Sequence, residues 1–200
     1  MRAAFVLSLL LLSGAAFAAP PAKPPAKSPA KSQAKPAAPI RAPSLNELFA
    51  QLAKAESAED AHPIEQKIEA HFRVSGSPSI DLLMARATAA QAGSDSKTAR
   101  KLAEAITQIA PNFSEGWHVR AALEQAAEDD TAALVSLQKV VLLNPRNFNA
   151  LTELGDMLQD YGDKNAALKL YRQALALDPQ LEGAIHKVRE LTRSVEGQDI

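Results

Sequence analysis

Four histidines, His62, His71, His118 and His186, are the side chains best suited to metal or acid–base chemistry, and they fall in four separate helical stretches. No His-Glu-x-x-His pair occurs, and no His/Asp set has the spacing of a metal site. His62 shares a helical face with Glu65 and Glu69, which a solvated polar face explains better than a ligand set. Gly93-Ser94-Asp95-Ser96-Lys97 resembles a phosphate loop only superficially, because the second glycine and a preceding strand are missing. There is no Gly-x-Ser-x-Gly elbow. Glu128-Asp129-Asp130 and Asp160-Tyr161-Gly162-Asp163 lack the ligand spacing of a calcium loop. Both runs fall between apolar-periodic stretches, where acids favour the start of the following helix. Cysteine is absent, which excludes disulfides, thiolate metal sites and a thiol nucleophile. The expectation is a non-catalytic chain with no cofactor and no metal.

Charge narrows the partner class. Arg2, Lys23, Lys27, Lys31, Lys35 and Arg41 are the basic residues ahead of Glu47, and no acid precedes it. The remaining 16 basic residues face 23 acids, so residues 47–200 carry about −7 while the whole chain shows −1. A nucleic-acid partner, which needs a basic face, is therefore not expected.

The first residues follow another logic. Met1-Arg2, an apolar run to Leu12 and Ala16-Phe17-Ala18 have the layout of a secretory signal, with cleavage expected after Ala18. The rival is an uncleaved membrane anchor, for which the 17 residues from Ala3 to Ala19 are at the short limit. Export would place the protein in an extracytoplasmic space, a bacterial periplasm. Residues 19–43 hold eight of the thirteen prolines and four lysines, with Ile40 the one large apolar side chain. Such a segment cannot bury enough surface to offset ordering and favours extended polyproline II, reaching roughly 75–80 Å. It is either a solvated spacer, the preferred reading, or a cationic strip that touches anionic wall polymer or lipid headgroups.

Downstream the sequence becomes periodic. Pro111, Pro145 and Pro179 are 34 residues apart, which defines units 80–113, 114–147 and 148–181. The fourth position of each unit is large (Leu83, Trp117, Leu151), and the eighth is small (Ala87, Ala121, Gly155). The twentieth is always alanine (Ala99, Ala133, Ala167). Leu151, Leu154 and Leu158, then Ala167, Leu168, Tyr171, Ala174 and Leu175, predict two helices broken near Gly162. Small residues at two positions let the paired backbones approach, and no pair can bury its apolar face alone.

These residues resemble the tetratricopeptide repeat (TPR) pattern. The third unit matches it best, through Leu151, Leu154, Gly155, Leu158, Ala167, Tyr171, Ala174 and Pro179. The second keeps Trp117, Ala133, Val140 and Pro145 but has Arg120 and Glu124 where the family often has apolar residues; the first keeps Leu83, Ala99, Ile106 and Pro111 with Arg86 and Ala103. The resemblance implies an all-α solenoid, a right-handed superhelix of helix-turn-helix repeats, similar to exported envelope proteins of proteobacteria. Residues 44–79, opened by Ser44 with Glu47 as a capping box, are expected to form a helical hairpin that caps the first repeat. Residues 182–200 are expected to close the other end, with Ile185, Val188, Leu191 and Val195 inward and Lys187 elsewhere.

The resemblance also implies a concave groove lined by the first helix of each unit. Carried over, its residues are Asp81, Met84, Thr88 and Gln91, then Glu115, His118, Ala122 and Gln125, then Asn149, Thr152, Asp156 and Gln159. They include no Lys or Arg, so the clamp with which chaperone-docking members hold a terminal carboxylate is missing. An acidic, amide-rich groove prefers a neutral or basic segment of a protein or peptide. The convex face is the alternative binding surface.

Overall fold

The computed structural model describes residues 42–195 and residue 197. The expected export signal and nearly all of the tether lie outside the described residues. Within them the chain is helical with no strand: α1 (Leu45–Leu52), α2 (Ala58–Phe72), α3 (Pro78–Ala92), α4 (Ser96–Ile109), α5 (Ser114–Gln125), α6 (Asp130–Leu143), α7 (Phe148–Asp160), α8 (Lys164–Leu177) and α9 (Glu182–Val195). Each 34-residue unit is one antiparallel pair, α3/α4, α5/α6 and α7/α8.

The period is also a period of caps. Asp95, Asp129 and Asp163 stand 34 residues apart, and each carboxylate accepts the backbone N–H three residues on, at 3.1, 3.2 and 3.0 Å. The residue before each cap is left-handed: Ser94 at φ 60°, Glu128 at 58° and Gly162 at 87°. Only the third unit uses glycine, to which that conformation costs nothing. The run resembling a phosphate loop is thus the first of these capped turns. Asn147 caps α7 in the same way, at 3.0 Å from the Ala150 N–H.

The small positions are set by packing. Ala87, Ala121, Ala99, Ala133 and Ala167 are all completely buried where paired helices meet. A Cβ on Gly155 would lie 2.8 Å from Cε1 of Tyr171, so glycine here is the counterpart of the large ring on α8. The first two units carry Ala103 and Leu137 at the position of Tyr171, and alanine suffices opposite them.

Arg120 and Glu124 form a polar joint. The Arg120 Nε donates to Glu124 at 2.7 Å, and the Ser136 hydroxyl donates to the other carboxylate oxygen at 2.6 Å. The guanidinium lies 5.3 Å from the Trp117 ring centroid, so the stem covers apolar surface while the charge is paired.

At the C-terminal end, α9 buries Ala184 and Leu191 and half-buries Ile185, Val188 and Val195. The N-terminal hairpin requires a correction. It forms, with the Ser44–Glu47 capping box in place, but it does not cap the first repeat. Leu48, Phe49, Leu52 and Ile68 share one buried cluster with Phe148, Leu151 and Tyr171 of the third repeat and Leu191 of α9. The first repeat's core of Ile80, Met84, Ala87 and Ile106 includes no hairpin residue. The reason is aromatic: the Phe49 ring packs edge-on against Phe148 with centroids 6.5 Å apart. The Arg146 guanidinium sits 3.8 Å over the same Phe49 ring and donates to Asn46 at 2.8 Å. Gly76, at φ +78°, turns the chain between α2 and α3.

Candidate functional site

The expected groove residues do not form one open surface. In the first repeat, Asp81 accepts from the Ser75 backbone and hydroxyl, Met84 is buried in the core, and Thr88 donates to the Met84 carbonyl at 3.1 Å. Gln91 is exposed at the end of α3. Asp81, Met84 and Thr88 shape the fold more than a binding face.

In the second and third repeats, part of the expected groove is covered by α2. Glu115, His118 and Asn149 enclose a small cavity of about 140 Å³ with Glu69, Phe72, Arg73 and Asn147. The Asn149 amide donates to Glu69 at 2.9 Å, so α2 occupies that end. His118 is set between Glu115 at 3.6 Å and Glu153 at 3.0 Å, joining α5 to α7. Burial opposes its charge, but the hydrogen bonds and fields of the two carboxylates outweigh that and hold the imidazole protonated up to about pH 10. Because the folded pKa is raised from 6.5, this contribution is complete below pH 6.5 and lost as pH rises through about 10. Urea unfolding of the parent chain at pH 6 and pH 9.5 should therefore differ by on the order of a few kcal/mol through this group. His118→Gln should remove most of that difference.

The part that stays open is formed by α7 and the turn after α5. Gln125, Asp130, Glu153, Asp156, Met157, Asp160 and Tyr161 line a cavity of about 550 Å³. Gln125 and Asp156 were expected there; Asp130, Glu153, Asp160 and Tyr161 were not. The acidic run 160–163 was the available signal, and it divides its work: Asp163 caps α8 while Asp160 faces the cavity. Ala122 and Thr152 lie on the same helices, half-buried, with the Thr152 hydroxyl bonded to the Phe148 carbonyl at 2.9 Å.

One cation enters the groove that the sequence placed elsewhere. Lys187 of α9 lies 3.3 Å from Asp156 and 3.4 Å from Gln159. Tyr171 donates its hydroxyl to the same pair, at 2.7 Å to Asp156 and 3.1 Å to Gln159. Burial and the Asp156 carboxylate push the phenol pKa up, so it stays a donor. Asp156 and Gln159 are therefore mostly committed, and Glu153 is paired with His118, so the uncompensated charge of the cavity rests on Asp130 and Asp160.

A second cavity of about 400 Å³ lies between α4 and α5, where Lys97, Arg100, Lys101 and Arg120 meet Glu104, Glu124 and Asp129. Arg120 pairs with Glu124 and Asp129 caps α6, which leaves Lys97, Arg100 and Lys101 facing Glu104 and the capping carboxylate, a small excess of positive charge. Among the described residues no three His, Asp or Glu side chains converge as metal ligands, and no helix is long and apolar enough to cross a membrane.

No family model matches the sequence. A TPR repeat-containing protein of Rhizobium etli is 26% identical over 153 residues, covering 76% of this chain and 75% of that one. The crystal structure of MamA superposes with a TM-score of 0.54 at 14% identity, over 70% of this chain and 80% of MamA. The fold is a TPR solenoid. The first TPR domain of Spaghetti, bound to the HSP90 peptide SRMEEVD, superposes at 0.53 with 16% identity, over 58% of this chain and 93% of that domain. In this TPR-like array the open cavity at α7 is acidic, with Lys187 of α9 at its edge.

Proposed function

We propose that the chain is a non-catalytic protein–protein interaction adaptor of the periplasm, which holds a neutral or basic segment of a partner against the acidic cavity of its second and third repeats. The observation that carries this reading is the pairing of a TPR solenoid with an open cavity of about 550 Å³ whose carboxylates outnumber nearby cations. A Lys or Arg side chain entering there gains compensating charge, whereas a carboxylate meets Asp130 and Asp160. The Spaghetti domain shows that this fold can hold a peptide. The export signal read in residues 1–18 supports the location.

The test is fluorescence polarisation of labelled Lys/Arg-rich, neutral and Glu-rich peptides of equal length against the full chain. Basic peptides should bind most tightly and weaken with added salt. Asp130→Lys with Asp160→Lys should weaken them at least tenfold, or ~1.4 kcal/mol. Equal binding of all three peptides, or no change in the double variant, would remove this cavity as the site.

A further inference from the structure

The junction between the N-terminal hairpin and the third repeat buries a carboxyl group with an unmet need. Asp178, in the turn between α8 and α9, has no solvent exposure. One carboxylate oxygen accepts the Gln180 backbone N–H at 3.0 Å, and the other, Oδ2, has no hydrogen-bond donor. A fully buried acceptor left without a donor is costly, and a buried anion more so. The side chain beside it is Glu65, from the second turn of α2, a second acid and not a cation. The same turn is pinned to the hairpin by the Gln180 amide, which donates to the Ala55 carbonyl at 2.9 Å. Ile68 of α2 and Leu52 of α1, both completely buried, belong to the same apolar cluster.

We propose that the hairpin is latched onto the third repeat by a proton that Glu65 holds against the orphaned oxygen of Asp178, so that the junction is tight in mild acid and loosens when Glu65 ionises. With one proton present, Glu65 donates to the orphaned Oδ2 and the pair carries a single negative charge. Without it, two like charges face each other in an apolar seam. Burial, then the hydrogen bond and field of Asp178, raise the Glu65 pKa from 4.5 to about 6. The other titratable group that faces Glu65 is His62, one turn earlier on α2 at 3.5 Å, and it acts in the opposite direction. A raised folded pKa means that the stabilisation is complete below about 4.5 and is lost as pH rises through about 6. The device does not depend on what the groove binds. Because α2 also covers Asn149, Glu115 and His118, it links hairpin seating to the shape of the groove.

Hydrogen exchange of the α1 and α2 amides in the full chain, corrected for intrinsic rates, tests this at pH 5 and pH 7.5. Hairpin protection should fall by about eightfold across that interval, the part of the Glu65 shift that lies above pH 5. Glu65→Gln supplies a permanent amide donor to Oδ2 and should hold protection high at both pH values. His62→Gln should keep the fall. A parent chain with flat protection overturns the proposal, as does a fall that persists in Glu65→Gln or disappears in His62→Gln. The Glu65 carboxyl carbon shift in the unaltered chain gives a reading that needs no variant: its midpoint should lie near 6, and a midpoint near 4.5 would also overturn the latch.

Discussion

Phe148→Ala should destabilise the chain by about 3–5 kcal/mol and release the N-terminal hairpin. Phe148 opens α7, is 1% exposed, and lies where the hairpin, the third repeat and α9 share one cluster. Removing its ring takes away the edge-on partner of Phe49 and leaves a cavity flanked by helix starts that cannot collapse independently. The damage should be asymmetric. Trp117 belongs to the second repeat, and its indole N–H donates to the Pro111 carbonyl at 2.9 Å, away from that cluster. Urea unfolding followed by far-UV circular dichroism should show the lost stability, while native Trp117 fluorescence changes little. Amide exchange should show α1 and α2 losing protection first, because Phe148 is part of the seat that holds them on the third repeat. A loss below about 1 kcal/mol would mean that the hairpin is not held by this aromatic seam.

The legible and illegible parts of this molecule separate by the range of the interactions involved. The prolines at 111, 145 and 179, the small residues at Ala87, Ala121 and Gly155, and the alanines at 99, 133 and 167 act within one helical pair, so their spacing carries the fold. The capped turns are equally local: an Asp three residues before the amide it binds is visible as a pattern. The hairpin's seat was not, because adjacency in sequence suggested the first repeat while Phe49 found its partner about a hundred residues away. Lys187 was misplaced for a related reason. Its helix was read as a solvating cap, and a face that is polar in sequence can still meet a carboxylate on the neighbouring repeat, here Asp156. The groove suffered most. Met84, Asp81 and Asn149 occupy lining positions by register, but each is claimed by a local or hairpin contact that register alone does not reveal. Asp130 and Asp160, outside that register, bring charge to the open cavity from the ends of their helices, α6 and α7.

Tyr171→Ala should cost about 3–5 kcal/mol, while Tyr171→Phe should cost only about 1–2 kcal/mol. The ring of Tyr171 is completely buried in α8 and fills the space that Gly155 leaves on α7. Truncation therefore opens a void between two backbones that approached each other in order to enclose a ring. The phenylalanine variant keeps that packing and loses only the hydroxyl donor shared by Asp156 and Gln159, for which Lys187 remains as a partner. A compensation test separates packing from hydrogen bonding. Gly155→Ala in the parent chain places a methyl 2.8 Å from the Tyr171 ring, which cannot swing aside while its hydroxyl is bonded on α7. Overpacking of about 1–3 kcal/mol should then exceed the helix-propensity gain of about 1 kcal/mol. In a Tyr171→Ala background the clash disappears and only the gain remains, so Gly155→Ala should change sign and become stabilising. Thermal unfolding of the four chains in the cycle measures this directly. Equal effects of Gly155→Ala in both backgrounds would show that glycine at this position answers to something other than the ring across from it.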